Sequence, residues 1–261
     1  MNPGIANEPL QGIETREPAF GMPAIWIEEG QKERAEIAGY TVVDPGSVII
    51  THISEVIKSH AAELLSRQDV QSLLDNLKKT QPAAVDEVVP NLLSVGEVQR
   101  VLQNLLREGI PIRDMGTIME ALGDHARNTR DPEVLTEYVR AALGRQICRQ
   151  YQNQNGDLVV ATVDPAIEDA IAESIEETDG GRTIALEPTL AQKFIKAVAH
   201  EVEKLVTAGN APVLLVRPNV RPYVRKLLER SFPNLAVISY NEIVNGHRVR
   251  TVGMVRLQNE G

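Results

Sequence analysis

The segment Pro212-Val213-Leu214-Leu215-Val216 is apolar at nearly every position, without the polar alternation of a half-solvated strand. A strand of this kind is buried on both faces. A helical stretch over 219–230 separates it from a second apolar run, Leu235-Ala236-Val237-Ile238. The order strand, helix, strand predicts a parallel crossover. Leu158-Val159-Val160-Ala161-Thr162-Val163 is a third strand candidate, followed by Asp164-Pro165, a helix start. A long helix is expected over 188–207, with Leu190, Phe194, Ile195, Val198, Val202 and Leu205 on one side. Asn245-Gly246 marks a turn, and Arg248 to Leu257 alternates like a final strand. Residues 151–261 therefore read as a C-terminal α/β unit.

The preceding stretch follows a different rule. Ser94-Val95-Gly96-Glu97 is a capping box, and Val98, Val101, Leu102, Leu105 and Leu106 run down one helical face to Gly109. Met115, Ile118, Met119 and Leu122 mark another helix. A third starts at Asp131-Pro132 and carries Leu135, Val139, Leu143 and Ile147. These make a helical unit over 94–150.

Residues 1–93 form a less regular first part. A lead-in rich in Pro and Gly reaches Pro23. Ala24–Ile27 reads as a buried strand, and Tyr40–Val43 as a β-branched strand ending at Asp44-Pro45-Gly46. Asp44-Pro45 also starts a helix, with Ile49, Ile53, Val56, Ile57, Ala61, Leu64 and Leu65 on one stripe. Val70, Leu73, Leu74 and Leu77 face inward from the next helix, which Pro82 ends. The fold class is thus mixed α+β with several subdomains: a partial N-terminal α/β unit, a central helical unit and a C-terminal α/β unit.

Charge and composition narrow the function classes. The net charge is −9, which speaks against a general nucleic-acid binder. From Lys193 to Arg256 there are eleven Lys/Arg against four Glu, so this part is basic and reads as a solvated face. Aromatics are only 3%, too few for a stacking platform. The single cysteine, Cys148, reads as a small buried hydrophobe, although Arg145 and Arg149 nearby would favour its thiolate. The five histidines show no metal-ligand spacing, no glycine-rich loop follows a strand into a helix, and Glu173, Glu176, Glu177 and Asp179 read as a solvated acidic loop. Neither enzyme chemistry nor a cofactor is expected, and binding is the function class that remains.

Several blocks are distinctive as they stand: Glu17–Ile27; Ala38–Asp44 with Thr51-His52; Glu63–Asp69 with Leu73-Leu74-Asp75; Val101–Met115; and Leu135–Gln146. Together they resemble the cytoplasmic domain of the FlhA-type flagellar export gate, a family shared with virulence type III secretion gates. The likeness covers nearly the whole chain. Arg67-Gln68 is similar to the flagellar branch, with the injectisome branch as the alternative. Ser66 stands where the flagellar pattern usually has Gly.

The resemblance implies a docking platform at the cytoplasmic face of the bacterial inner membrane. It implies partners that are flagellar export chaperones carrying filament-type substrates, other export-apparatus proteins, and copies of the chain in a nine-membered ring. It also implies upstream membrane helices and an earlier start of the cytoplasmic domain, so that this chain reads as an N-terminally truncated piece. Carried over by position, an apolar dimple for the chaperone involves Ala62, Leu65, Val88, Leu93 and Gly96. Some members have an acidic residue at the position of Ala62 and Thr at that of Gly96. Here both polar groups are missing, and the docking left is apolar, a chaperone helix burying an anchor side chain.

Overall fold

A computed structural model describes residues 8–19, 21–178 and 181–257. The start of the lead-in and Asp179 and Gly180 of the acidic loop lie outside them. The chain divides into two compact units, 1–64 and 65–261.

In the first unit, β1 (Ile13–Arg16) pairs antiparallel with β2 (Pro23–Trp26), Ile13 opposite Trp26. The strand expected at Ala24–Ile27 is present, but it is half-exposed rather than buried. A short helix α1 (Lys32–Ile37) follows. Tyr40–Val43 is not a strand; it links α1 to α2 (Pro45–Ser59) without joining any ladder. Strand propensity records a fit to a pleated sheet, and no neighbouring strand is offered here. The Asp44 carboxylate accepts from the Ser47 N–H at 2.9 Å and Pro45 takes the first helical position, so the expected helix start holds.

The apolar stripe of α2 does not face a core. Ile49, Ile53, Val56 and Ile57 are 45–58% exposed, and Leu64 at the end of α3 (Ala61–Leu64) is 62% exposed. Helical periodicity says which side chains share a face and not whether anything covers it.

The second unit begins with α4 (Arg67–Lys78), α5 (Pro82–Val88), α6 (Val95–Arg107), α7 (Met115–His125), α8 (Pro132–Ala142) and α9 (Gly144–Tyr151). Capping boxes start α4 at Ser66 and α6 at Ser94. Pro82 opens α5 at a first-turn position, and α4 stops earlier, at Lys78. Gly109 ends α6 in the left-handed region, φ 69°. The single helix expected from Asp131 to Ile147 breaks after Ala142. At Gly144 the chain passes so near Glu242 that a Cβ there would lie 2.5 Å from the Glu242 carbonyl oxygen. Val70, Leu74, Val85 and Val88 of α4 and α5 share one buried cluster with Val98, Leu102, Ile118 and Leu135, so this core continues across position 93.

Next come β3 (Asp157–Val163), α10 (Pro165–Glu173), β4 (Ile175–Thr178), β5 (Gly181–Ile184), α11 (Pro188–Thr207), β6 (Val213–Val216), α12 (Arg221–Leu228), β7 (Ala236–Ser239) and β8 (Arg248–Val255). The part expected as an acidic loop is an antiparallel hairpin, β4 on β5, with Ile175 opposite Ile184. The other four strands form a parallel sheet in the order β7-β6-β3-β8. The crossover expected between Pro212 and Ile238 is β6-α12-β7. All seven residues of β3 are buried, as a central strand covered on both faces requires.

Strand alternation divides the core between the two faces of this sheet. Leu158, Val160, Val213, Leu215 and Ile238 belong to the cluster of α4 to α9. Val159, Ala161, Val163, Leu214, Val216 and Val237 belong to a second cluster with Phe194 and Val198 of α11 and Val224 of α12. The result is three layers: a helical layer, a sheet, and helices on the far face.

Candidate functional site

The five residues expected at the docking dimple have different surroundings. Leu65 is half-buried and packs on the helical core of the second unit, in which Val88 is 0% and Leu93 1% exposed. The Leu65 carbonyl accepts from Gln99 Nε2 at 2.8 Å and Gln103 Nε2 at 3.3 Å. Gly96 lies in the first turn of α6, and a Cβ on it would meet the Arg67 guanidinium at 3.2 Å. Ala62 is buried in α3 of the first unit. The structure thus brings Leu65, Val88 and Leu93 into one cluster and sets Gly96 under Arg67. Of the five, Leu65 and Gly96 keep substantial surface, whereas Ala62, Val88 and Leu93 are closed off.

An open hollow of about 740 Å³ lies within the first unit. Ile25, Trp26, Ile27, Tyr40, Val42, Val43 and Val48 give it an apolar lining, and Arg16, Glu28, Glu29, Lys32 and Asp44 also border it. Its size is that of concave sites that enclose a ligand or an anchor side chain. Its residues fall in the blocks 17–27 and 38–44. Their composition announces strands, and sequence alone cannot distinguish an apolar strand that closes a core from one that edges an open hollow.

A second feature is an ionic cluster between the helical layer and the sheet. Arg221 of α12 donates to both Glu108 oxygens, at 2.6 and 3.0 Å, and through Nε and Nη2 to both oxygens of Glu137 on α8. Arg140, also on α8, donates to Glu242 Oε2 at 2.7 Å and Glu108 Oε2 at 3.2 Å. Both arginines also donate to the Val237 carbonyl of β7. Glu242 accepts through Oε1 from the Ser239 N–H and hydroxyl, each at 2.9 Å. Burial alone would raise the pKa of Glu108, but the charges of Arg140 and Arg221 outweigh it and hold the carboxyl at about 2. Arg221 belongs to the basic stretch that composition assigns to a solvated face, yet its side chain is 2% exposed. Its partners lie 84 and 113 residues away in the chain, beyond the reach of any spacing rule.

The Cys148 thiol is buried and donates to the Glu242 carbonyl at 3.3 Å. Burial pushes its pKa up, so the thiolate activation suggested by Arg145 and Arg149 does not hold. Among the described residues no three His, Cys, Asp or Glu side chains gather as metal ligands, and no helix is long and apolar enough to cross a membrane.

Comparison with known proteins gives consistent matches. The chain is 46% identical to the flagellar biosynthesis protein FlhA of Bacillus subtilis over 98% of its length. It is 44% identical, again over 98%, to FlhA of Caulobacter vibrioides. It spans 38% and 36% of the lengths of these two curated relatives. Among solved structures, the Chlamydia pneumoniae CdsV protein superposes with a TM-score of 0.84 at 33% identity, covering 94% of this chain and 70% of that one. The nonameric EPEC SctV-C gives a TM-score of 0.77 at 25% identity, covering 97% of this chain and 76% of that one. The FHIPEP family model matches residues 1–248. The chain therefore belongs to the FHIPEP family, that of the export-gate proteins of flagellar and injectisome type III secretion.

Proposed function

We propose that this chain is the cytoplasmic docking part of a flagellar protein-export gate, and that it receives export chaperones loaded with filament-type substrates. The observation that carries the reading is the open apolar hollow of the first unit. It is concave and greasy, as a receptor for a hydrophobic anchor must be. Ala62, Leu65, Val88, Leu93 and Gly96 keep the docking role expected of them, divided by burial. Leu65 and Gly96 would touch the visitor, and Ala62, Val88 and Leu93 would hold the shape of the backbone behind them.

The flagellar reading is favoured over the injectisome one by identity: 46% to FlhA of B. subtilis against 33% to CdsV. Working in a ring of like subunits is supported by the nonameric assembly of EPEC SctV-C. Other export-apparatus proteins would be further partners. The function proposed is scaffolding, with no cofactor.

Titration calorimetry with purified chaperone–cargo pairs tests the reading. Saturable binding by the wild type, lost in Ile25→Asp and weakened in Leu65→Asp, is the expected result. Equal binding by wild type and both folded variants would remove the hollow and Leu65 from the docking surface.

A further inference from the structure

Side chains of a strand alternate between its two faces, so a hollow lying over one face is lined by every second residue. The hollow of the first unit breaks that rule. Ala24, Ile25, Trp26 and Ile27 all line it in succession, and so do Tyr40, Thr41, Val42 and Val43. Consecutive lining means that the backbone itself borders the space. Among the described residues β2 pairs only with β1, so one edge of β2 is unpaired. Val42 and Val43 make no backbone hydrogen bond to any described residue. An unpaired edge is a template for an added strand. The β-branched run that sequence reads as a strand lies at the same space, without a partner.

The border also has a charge. Glu28, Glu29 and Asp44 are exposed on it, with Glu17 buried beside them, against Arg16 and Lys32. The excess is acidic.

Resting on the docking reading above, we infer that the hollow takes an extended, basic peptide segment, added edge-on to β2 as a third strand and reaching the backbone of Val42 and Val43. The main chain supplies affinity in this mode, and alternate side chains entering the apolar lining supply selectivity. The occupant is a segment of the docked client that carries apolar residues at every second position and lysine or arginine between them.

Trp26 is the single tryptophan of the chain and lines the hollow, so its fluorescence reports occupancy directly. The probe is a blocked heptapeptide alternating lysine and valine, titrated into the full chain. The expected result is a saturable blue shift of Trp26. The same peptide with alternate backbone amides N-methylated should bind at least tenfold more weakly, as should a version with glutamate in place of lysine. Val42→Pro, which removes a backbone donor from the border, should weaken the parent peptide at least tenfold with an unchanged circular dichroism spectrum. The N-methylated peptide leaves the protein untouched, so that arm decides even if Val42→Pro fails to fold.

Equal binding of the N-methylated and parent peptides would show recognition by side chains alone and overturn the proposal. So would the absence of any shift. A Trp26 shift that appears on raising the protein concentration alone, with dimers in sedimentation, would give the edge to a second copy and also overturn it. Failure of the docking reading looks different: the peptide results stand as expected while chaperone–cargo binding is indifferent to Ile25→Asp.

Discussion

Arg221 and Glu108 meet as a two-point pair, Nη1 to Oε2 at 2.6 Å and Nη2 to Oε1 at 3.0 Å, across the boundary between the helical layer and the α/β part. The Arg221 side chain is 2% and that of Glu108 15% exposed. A buried pair of this kind adds little stability over an apolar substitute of the same shape, because both charges lose their water. Removing one partner is a different matter. Arg221→Met would leave Glu108 with Arg140 alone and Glu137 without its arginine. The expected cost is about 3–5 kcal/mol, read as a lower urea midpoint. Replacing Arg221, Glu108 and Glu137 together by apolar residues should recover most of it. A triple variant no more stable than Arg221→Met would show that the cluster stabilises by more than pairing.

The same cluster predicts a pH dependence. The folded pKa of Glu108 is about 2, against an ordinary value of 4.5. A depressed carboxylate pKa adds stability above the unfolded value, and that stability is lost as pH falls through the folded value. The contribution, about 3 kcal/mol by the linkage relation, should therefore be complete above pH 4.5 and gone near pH 2. Urea unfolding at a series of pH values should show the decline over that window, and Glu108→Gln should remove its share of the slope. An unchanged slope in the variant would assign the acid sensitivity to other carboxylates.

Gly144 gives a steric prediction. Its Cβ position is 2.5 Å from the Glu242 carbonyl oxygen and 3.1 Å from Val244 Cγ1. Backbone cannot swing away as a flexible side chain can, so Gly144→Ala must push α9 from the Glu242 turn. A loss of about 1–3 kcal/mol is expected, the usual range for overpacking. Gly109→Ala is the control. It has open space around it but φ 69°, so its expected cost is about 1–2 kcal/mol from backbone conformation alone. Crystallography should show α9 displaced in the first variant and the fold unmoved in the second.

Much of this architecture is legible in the residues because its causes are local. Ser94 and Glu97 are three apart, and their reciprocal bonds need only the first turn of α6. Pro165 follows Asp164, and the cap forms between neighbours. The apolar runs of β3 and β6 announce strands buried on both faces whatever surrounds them. What could not be read depends on distant partners. Arg221 looks like any surface arginine until Glu108 and Glu137 are folded against it. Tyr40–Val43 has the composition of a strand and no strand beside it. Val88 and Leu93 have the character of a docking surface and of a core alike, and only burial separates the two.

That separation decides how the docking surface has to be tested. Leu93 is 1% exposed, so Leu93→Asp would place a carboxylate in the helical core and lower stability by several kcal/mol. Its binding defect would be a folding defect, seen as a depressed melting temperature alongside lost affinity. Ile25→Asp changes a half-exposed side chain at the border of an open hollow, where the carboxylate keeps its water. It should melt within a few degrees of the wild type and still lose at least tenfold in affinity for a chaperone–cargo pair, because a charge now meets the incoming apolar anchor. Leu65→Asp should fall between, since Leu65 is half-buried against the core. Melting temperature plotted against affinity for the three variants separates the surface from its support. If Ile25→Asp loses no affinity while Leu65→Asp does, the visitor docks on the second unit and the hollow serves another ligand.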